Sequence, residues 1–60
     1  TRRVGNLHDE TKGYVGTVIV FRNKESFCVE FDNYINGHDG EGKGKDGHCW
    51  FVDEYSVKLI

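Results

Sequence analysis

Between Tyr14 and Phe21 apolar and β-branched residues run almost unbroken behind Gly13. Alternation places Val15, Thr17, Ile19 and Phe21 on one face and Gly16, Val18 and Val20 on the other. That is the pattern of a strand buried on one side and partly covered on its second. Arg22 to Ser26 is charged, contains Asn23 and reads as a tight connection. Phe27, Val29 and Phe31 then alternate with Cys28 and Glu30, which predicts a half-buried strand. His48 to Val52 reads as a short aromatic strand and Val57 to Ile60 as a last one. Arg2 to Gly5 forms a first strand around Val4, followed by a polar loop from Asn6 to Gly13. Asp53-Glu54-Tyr55-Ser56 reads as one turn of tight 3-10 helix, because acids lead and serine follows.

From Asp32 to Gly47 the alternation dissolves. Asn33, Asn36 and five of the eight glycines fall in this stretch, and loops of such length in a compact domain are usually functional or disordered. The predicted order is short strand, polar loop, long strand, turn, strand, long loop, strand, helical turn, strand. This predicts an all-β fold, a small five-stranded SH3-like barrel with a long Gly-rich loop over 32–47, in a single domain over 1–60. An OB-fold would need a longer chain, and closure removes exposed strand edges. The predicted core is Val4, Val15, Val18, Ile19, Val20, Phe27, Val29, Phe31, Val57 and Leu59, with some of Tyr14, Phe21, Phe51 and Ile60.

Composition sharpens this reading. Ala, Met and Gln are absent while Val, Ile, Phe, Tyr, Trp and Thr are plentiful, which favours strands over helices. A chain of 60 residues buries only ~60% of its unfolded surface, so a large enzyme cleft is not expected, and a homodimer is a reasonable way to gain stability. Ten acidic and eight basic residues give a net charge of −2. The basic residues are scattered, against the clustering that drives binding to phosphate backbones. No apolar run approaches the ~20 residues needed to span a bilayer, and two cysteines are too few for a disulfide framework. A soluble, cytoplasmic protein without a cofactor is expected.

His38, Asp39, Glu41, Asp46, His48 and Cys49 lie within the long loop and its exit strand, and Cys28 lies on the preceding strand. His38, His48, Cys49 and Cys28 are the candidate zinc ligands. Their spacing argues against a site, since His38 and His48 are ten apart and the neighbours His48 and Cys49 point to opposite faces. Lys43 and Lys45 stand where a calcium loop would want acids. The glycine spacing of residues 37–42 resembles a phosphate cradle, but a strand rather than a helix N-terminus follows. A nucleophilic Cys49 beside His48 lacks an orienting third group, and no catalytic residue is assigned. A bridge between Cys28 and Cys49 depends on the register, which also decides whether Cys49 or Trp50 faces the core.

The aromatics Tyr34, Trp50, Tyr55 and Tyr14 exceed what the Phe27-Val29-Phe31 face needs for packing, and exposed Tyr and Trp are typical anchors for a protein partner. Acidic Asp39, Glu41, Asp53 and Glu54 favour a basic partner surface. The expected contact surface comprises Tyr34, His38, Asp39, Glu41, Lys43, Lys45, His48, Trp50 and Tyr55. The alternative is nucleic-acid or nucleotide binding, with bases stacked on Trp50 and Tyr34 and phosphate held by Lys43 and Lys45.

Gly13-Tyr14-Val15-Gly16-Thr17-Val18, Val29-Glu30-Phe31-Asp32, Ile35-Asn36-Gly37-His38-Asp39, Gly47-His48-Cys49-Trp50 and Val57-Lys58-Leu59-Ile60 together resemble small proteins encoded by phages and prophages. The resemblance covers most of the chain. It implies an SH3-like β-barrel and a phage accessory product, with no activity assigned to the group. The small size, the acidity, the excess aromatics and the long glycine loop add the expectation that the chain binds a host or phage protein and inhibits or modulates a host or defence enzyme. Relatives in that group often carry cysteines within the loop, where this chain has Gly40 and Gly44.

Overall fold

The computed structural model describes residues 2–7 and 12–60. Five strands form: β1 (Arg3–Asn6), β2 (Val15–Asn23), β3 (Ser26–Phe31), β4 (Cys49–Val52) and β5 (Val57–Leu59). Each expected strand is present within two residues of its expected bounds. The polar loop expected over 6–13 lies partly outside the described residues, which contain no helix.

All pairings are antiparallel, in the order β4-β3-β2-β1-β5. The expected closure into a barrel is not what forms: β4 and β5 do not pair, and the sheet remains open between them. The outer edge of β4 is taken instead by the long loop, where His38 N–H donates to Cys49 O (2.9 Å) and Cys49 N–H to His38 O (3.1 Å). The expected 3-10 turn is a hydrogen-bonded turn over 54–56. Its amides are met by the Asp53 carboxylate rather than by a continuing ladder. Asp53 Oδ1 accepts from Tyr55 N–H (3.0 Å), Ser56 N–H (2.9 Å) and Ser56 Oγ–H (2.9 Å).

The alternation of β2 also breaks. Val18 pairs with Val29, but Val20 pairs with Cys28 and Phe21 with Phe27, so Ile19 sits in a bulge. The extra residue moves Phe21 from the Val15-Thr17 side to the Val18 side, where its ring stacks on Phe27 at 5.7 Å. The core on this face is Val4, Phe27, Val29, Phe31, Val52 and Val57, with Tyr14, Val18 and Ile35 packed against it. Val52 was not among the expected core residues. Leu59 was, and it is exposed, as are Phe21 and Ile60 from the group of which only some were expected inside, because among the described residues nothing covers the bulged end of β2 or the outer edge of β5. Val15, Ile19 and Val20 are half-buried.

At the open corner Arg3 ties three strands together. Its guanidinium donates to Thr17 Oγ1 (2.7 Å) on β2 and to both oxygens of Asp32 (3.2 and 2.7 Å) just beyond β3. Gly16 allows β2 and β3 to approach closely: a Cβ there would lie 2.5 Å from Val29 Cγ1 and 2.7 Å from Glu30 O. The Gly16→Ala chain therefore loses about 1–3 kcal/mol, a fall in melting temperature on the order of 10 °C. Thermal unfolding followed by circular dichroism measures it, and an unchanged melting temperature would contradict this packing.

Candidate functional site

The second face of the sheet is built around two cysteines. Cys28 pairs with Phe51 and Glu30 with Cys49, so the cysteines are diagonal neighbours on one face, and both are fully buried. The register that the sequence left open thus puts Cys49 inside and turns Trp50 to the other face. The covering is the long loop. A Cβ on Gly44 would lie 2.5 Å from Cys49 Sγ and 2.7 Å from Ile19 Cδ1, and one on Gly40 would lie 3.2 Å from Cys49 Sγ and 3.4 Å from Cys28 Sγ. Glycine at these positions allows close approach.

Polar contacts pin the loop around that apolar seat. Ile35 and Gly37 N–H both donate to Gly47 O (2.9 and 3.0 Å), and Gly44 N–H donates to Asp39 O (2.9 Å). The Glu30 carboxylate accepts from Lys45 N–H (2.6 Å), and Arg22 pairs with Glu41 (2.6 Å). His38 Nδ1 accepts from Gly40 N–H (2.9 Å).

Burial pushes the Cys28 thiol up to about 11, reinforced by Cys49 beside it, by their shared hydrogen bond and by Glu41. Burial likewise raises Cys49, helped by Glu30. Both are free thiols, and Cys49 Sγ donates to Lys45 O (3.5 Å). A thiol held protonated this far above neutrality is a poor nucleophile and metal ligand. His48 lies on the face opposite Cys49, with Nδ1 2.9 Å from Phe31 O. Among the described residues no three of His, Cys, Asp and Glu converge on a point where a metal ion fits.

The aromatic surface is ordered. His38 stacks on Phe51 at 5.3 Å and lies 5.9 Å from Trp50, while the Arg22 guanidinium lies 5.1 Å from the Phe51 ring centre. Trp50 remains 53% exposed. Tyr34, 65% exposed, meets His48 edge-on at 5.8 Å, and its hydroxyl donates to Asn36 Oδ1 (3.0 Å). Beside Trp50 lies a hollow of about 270 Å3 bordered by Phe51, Val52, Ser26, Ser56 and two carboxylates, Glu25 and Asp53.

Of the expected contact residues, the structure brings His38 to Trp50 and Tyr34 to His48. Asp39, Glu41, Lys43 and Lys45 are exposed on the loop, with Glu41 engaged by Arg22 and the Lys45 backbone by Glu30. Tyr55, 82% exposed, stands on the 54–56 turn. Arg22, Phe51 and Glu25 were not foreseen as site residues. Phe51 had a signal in its place next to Trp50 on an aromatic strand, whereas Arg22 and Glu25 join only through the strand pairing. Among the described residues no helix is long and apolar enough to cross a membrane.

Compared with protein families, characterised proteins and solved structures, the chain finds no match.

Neither thiol of the folded protein should react measurably with a disulfide reagent such as DTNB at pH 8, and both should react on unfolding. The pH dependence has a defined sign. Unfolded thiols ionise near 9.0 while folded Cys28 keeps its proton to about 11, so the folded state binds more protons between these values and loses stability as pH rises through them. The denaturation midpoint should fall from pH 9 to 11, and fall less in Cys28→Ala.

Proposed function

We propose that this chain is a protein-interaction module, an SH3-like fold of the phage type, that holds a basic segment of a host or phage protein and so modulates a host or defence enzyme. The strand order β4-β3-β2-β1-β5 supports the SH3-like reading, and the residues quoted above support the phage likeness. The observation that carries the function is Trp50. A large ring, half exposed, sits on a strand hydrogen-bonded on one side to β3 and on the other to His38, with the His38 ring alongside.

Such an anchor is ordered before binding and loses little conformational entropy on contact. The Glu25 and Asp53 carboxylates border the hollow next to it. An aromatic face beside carboxylates suits a Lys or Arg side chain, through cation–π attraction and charge complementarity.

Affinity capture from the natural host, followed by titration of the captured protein, tests this reading. Trp50→Ala should weaken binding by ~30-fold or more, the loss of one hot-spot residue, with the melting temperature close to that of the parent chain. Glu25→Lys should weaken it further. Unchanged binding in Trp50→Ala would overturn the assigned surface. Single-stranded DNA at low salt should leave Trp50 fluorescence unchanged, where a base-stacking protein would show quenching.

A further inference from the structure

The two edges of the sheet are treated differently. Residues 37–38 cover β4, whereas β5 has β1 as its only strand partner among the described residues. Leu7 N–H donates to Ser56 O (2.8 Å) and Ile60 N–H to Arg3 O (3.2 Å), so even-numbered residues turn their backbone groups toward β1. Those of Val57 and Leu59 therefore turn outward, two N–H donors and two C=O acceptors at strand spacing along an edge that is open among the described residues.

The side chains of these same two residues line a groove of about 360 Å3, walled by Val4, Val18, Phe21 and Phe27. Leu59 and Phe21 are 68% and 56% exposed. The rim carries Arg2 and Lys24 against one acid, Glu54, and none of the three forms an ion pair among the described residues. Arg2 also borders a neighbouring depression with Leu59 and Ile60.

We propose that the β5 edge binds an extended acidic peptide segment of a partner protein as a sixth antiparallel or parallel strand. Backbone hydrogen bonds go to Val57 and Leu59, alternate apolar side chains enter the groove, and a carboxylate meets Arg2 or Lys24. This is strand addition, in which the main chain supplies affinity and the groove supplies selection. The cationic rim favours an acidic peptide over a second copy of the chain. Two β5 strands paired antiparallel about their midpoint would set Lys58 opposite its own copy, and like charges directly opposite are destabilising. The site is separate from Trp50 and does not rest on the function proposed for it.

The test uses three fluorescein-labelled octapeptides: alternating Asp and Val, alternating Lys and Val, and the Asp-Val peptide N-methylated at every second residue. Anisotropy titration should show saturable binding of the first, with the second and third at least about tenfold weaker. Leu59→Glu and Arg2→Glu should each weaken the Asp-Val peptide about tenfold at unchanged melting temperature, and Arg2→Glu should improve the Lys-Val peptide. In the complex the Val57 and Leu59 amides should become protected from hydrogen exchange. Trp50→Ala should bind the peptide like the parent, so that failure here and failure at the Trp50 surface are told apart. Absence of saturable binding into the millimolar range, equal affinity for both charges, or indifference to N-methylation would each overturn the proposal. So would a concentration-dependent dimer, seen by sedimentation, that Leu59→Glu dissolves while the Asp-Val peptide fails to compete.

Discussion

The fold turns on the seating of one glycine-rich segment over two buried thiols. Cys28, Cys49 and Ile19 make an apolar patch on the face of the sheet opposite the main core, and a chain of 60 residues has few side chains with which to cover it. Backbone does the covering. Gly40 and Gly44 pass within contact distance of both sulphurs and of Ile19, where any side chain would hold the segment off. The polar groups that this burial removes from water are met by Glu30, His38 and Gly47, which keeps the desolvation cost small. From this seat follows the position of His38 along β4, and from His38 the ordering of the Trp50 ring.

The same arrangement settles which edge of the sheet is free. With residues 37–38 hydrogen-bonded along β4, that edge offers nothing to a neighbouring strand beside Cys49. The turn over 54–56, fixed by Asp53, then sends β5 to the far side of β1. Two surfaces of different kinds result. One presents rings beside carboxylates. The other presents a strand edge without a partner among the described residues, beside an apolar groove with cations on its rim.

How much of this was legible in the sequence differs from element to element. β2 and β3 showed in their alternation, because residues with a buried face repeat every second position, and β1, β4 and β5 showed as short apolar or aromatic segments between polar stretches. The bulge at Ile19 left no such mark. Val18-Ile19-Val20-Phe21 is apolar throughout, so a one-residue slip changes no class of residue while it reverses the side on which Phe21 points. Leu59 was expected inside a closed barrel, and a β5 edge that no described strand covers leaves it outside. The glycines of the loop support two opposite readings, freedom and close approach, and composition does not separate them. What separates them is the sulphur pair beneath, whose adjacency depends on strand register. Trp50, Tyr34 and His38 were visible as candidates by residue type. Arg22 and Glu25 were not, because nothing in a charged turn announces that it will border an aromatic strand.

Net charge is a poor guide to what such a chain attracts. The molecule measures 24 × 23 × 18 Å, and at physiological ionic strength charges are screened over ~8 Å. Groups on different sides therefore act nearly independently, and a total of −2 describes neither of them. Near Trp50 the local field comes from Glu25 and Asp53. Along β5 it comes from Arg2 and Lys24, with Glu54 opposing, since Arg3 is neutralised by Asp32. Guanidinium and carboxylate hold each other charged there, Asp32 being kept below the usual carboxylate range chiefly by its hydrogen bonds from Arg3. The pairing takes one cation out of the β5 rim, so the positive field at the groove is confined to the two side chains that face it. The charge that each surface presents follows from which residues the fold brings to it and which ions it pairs off.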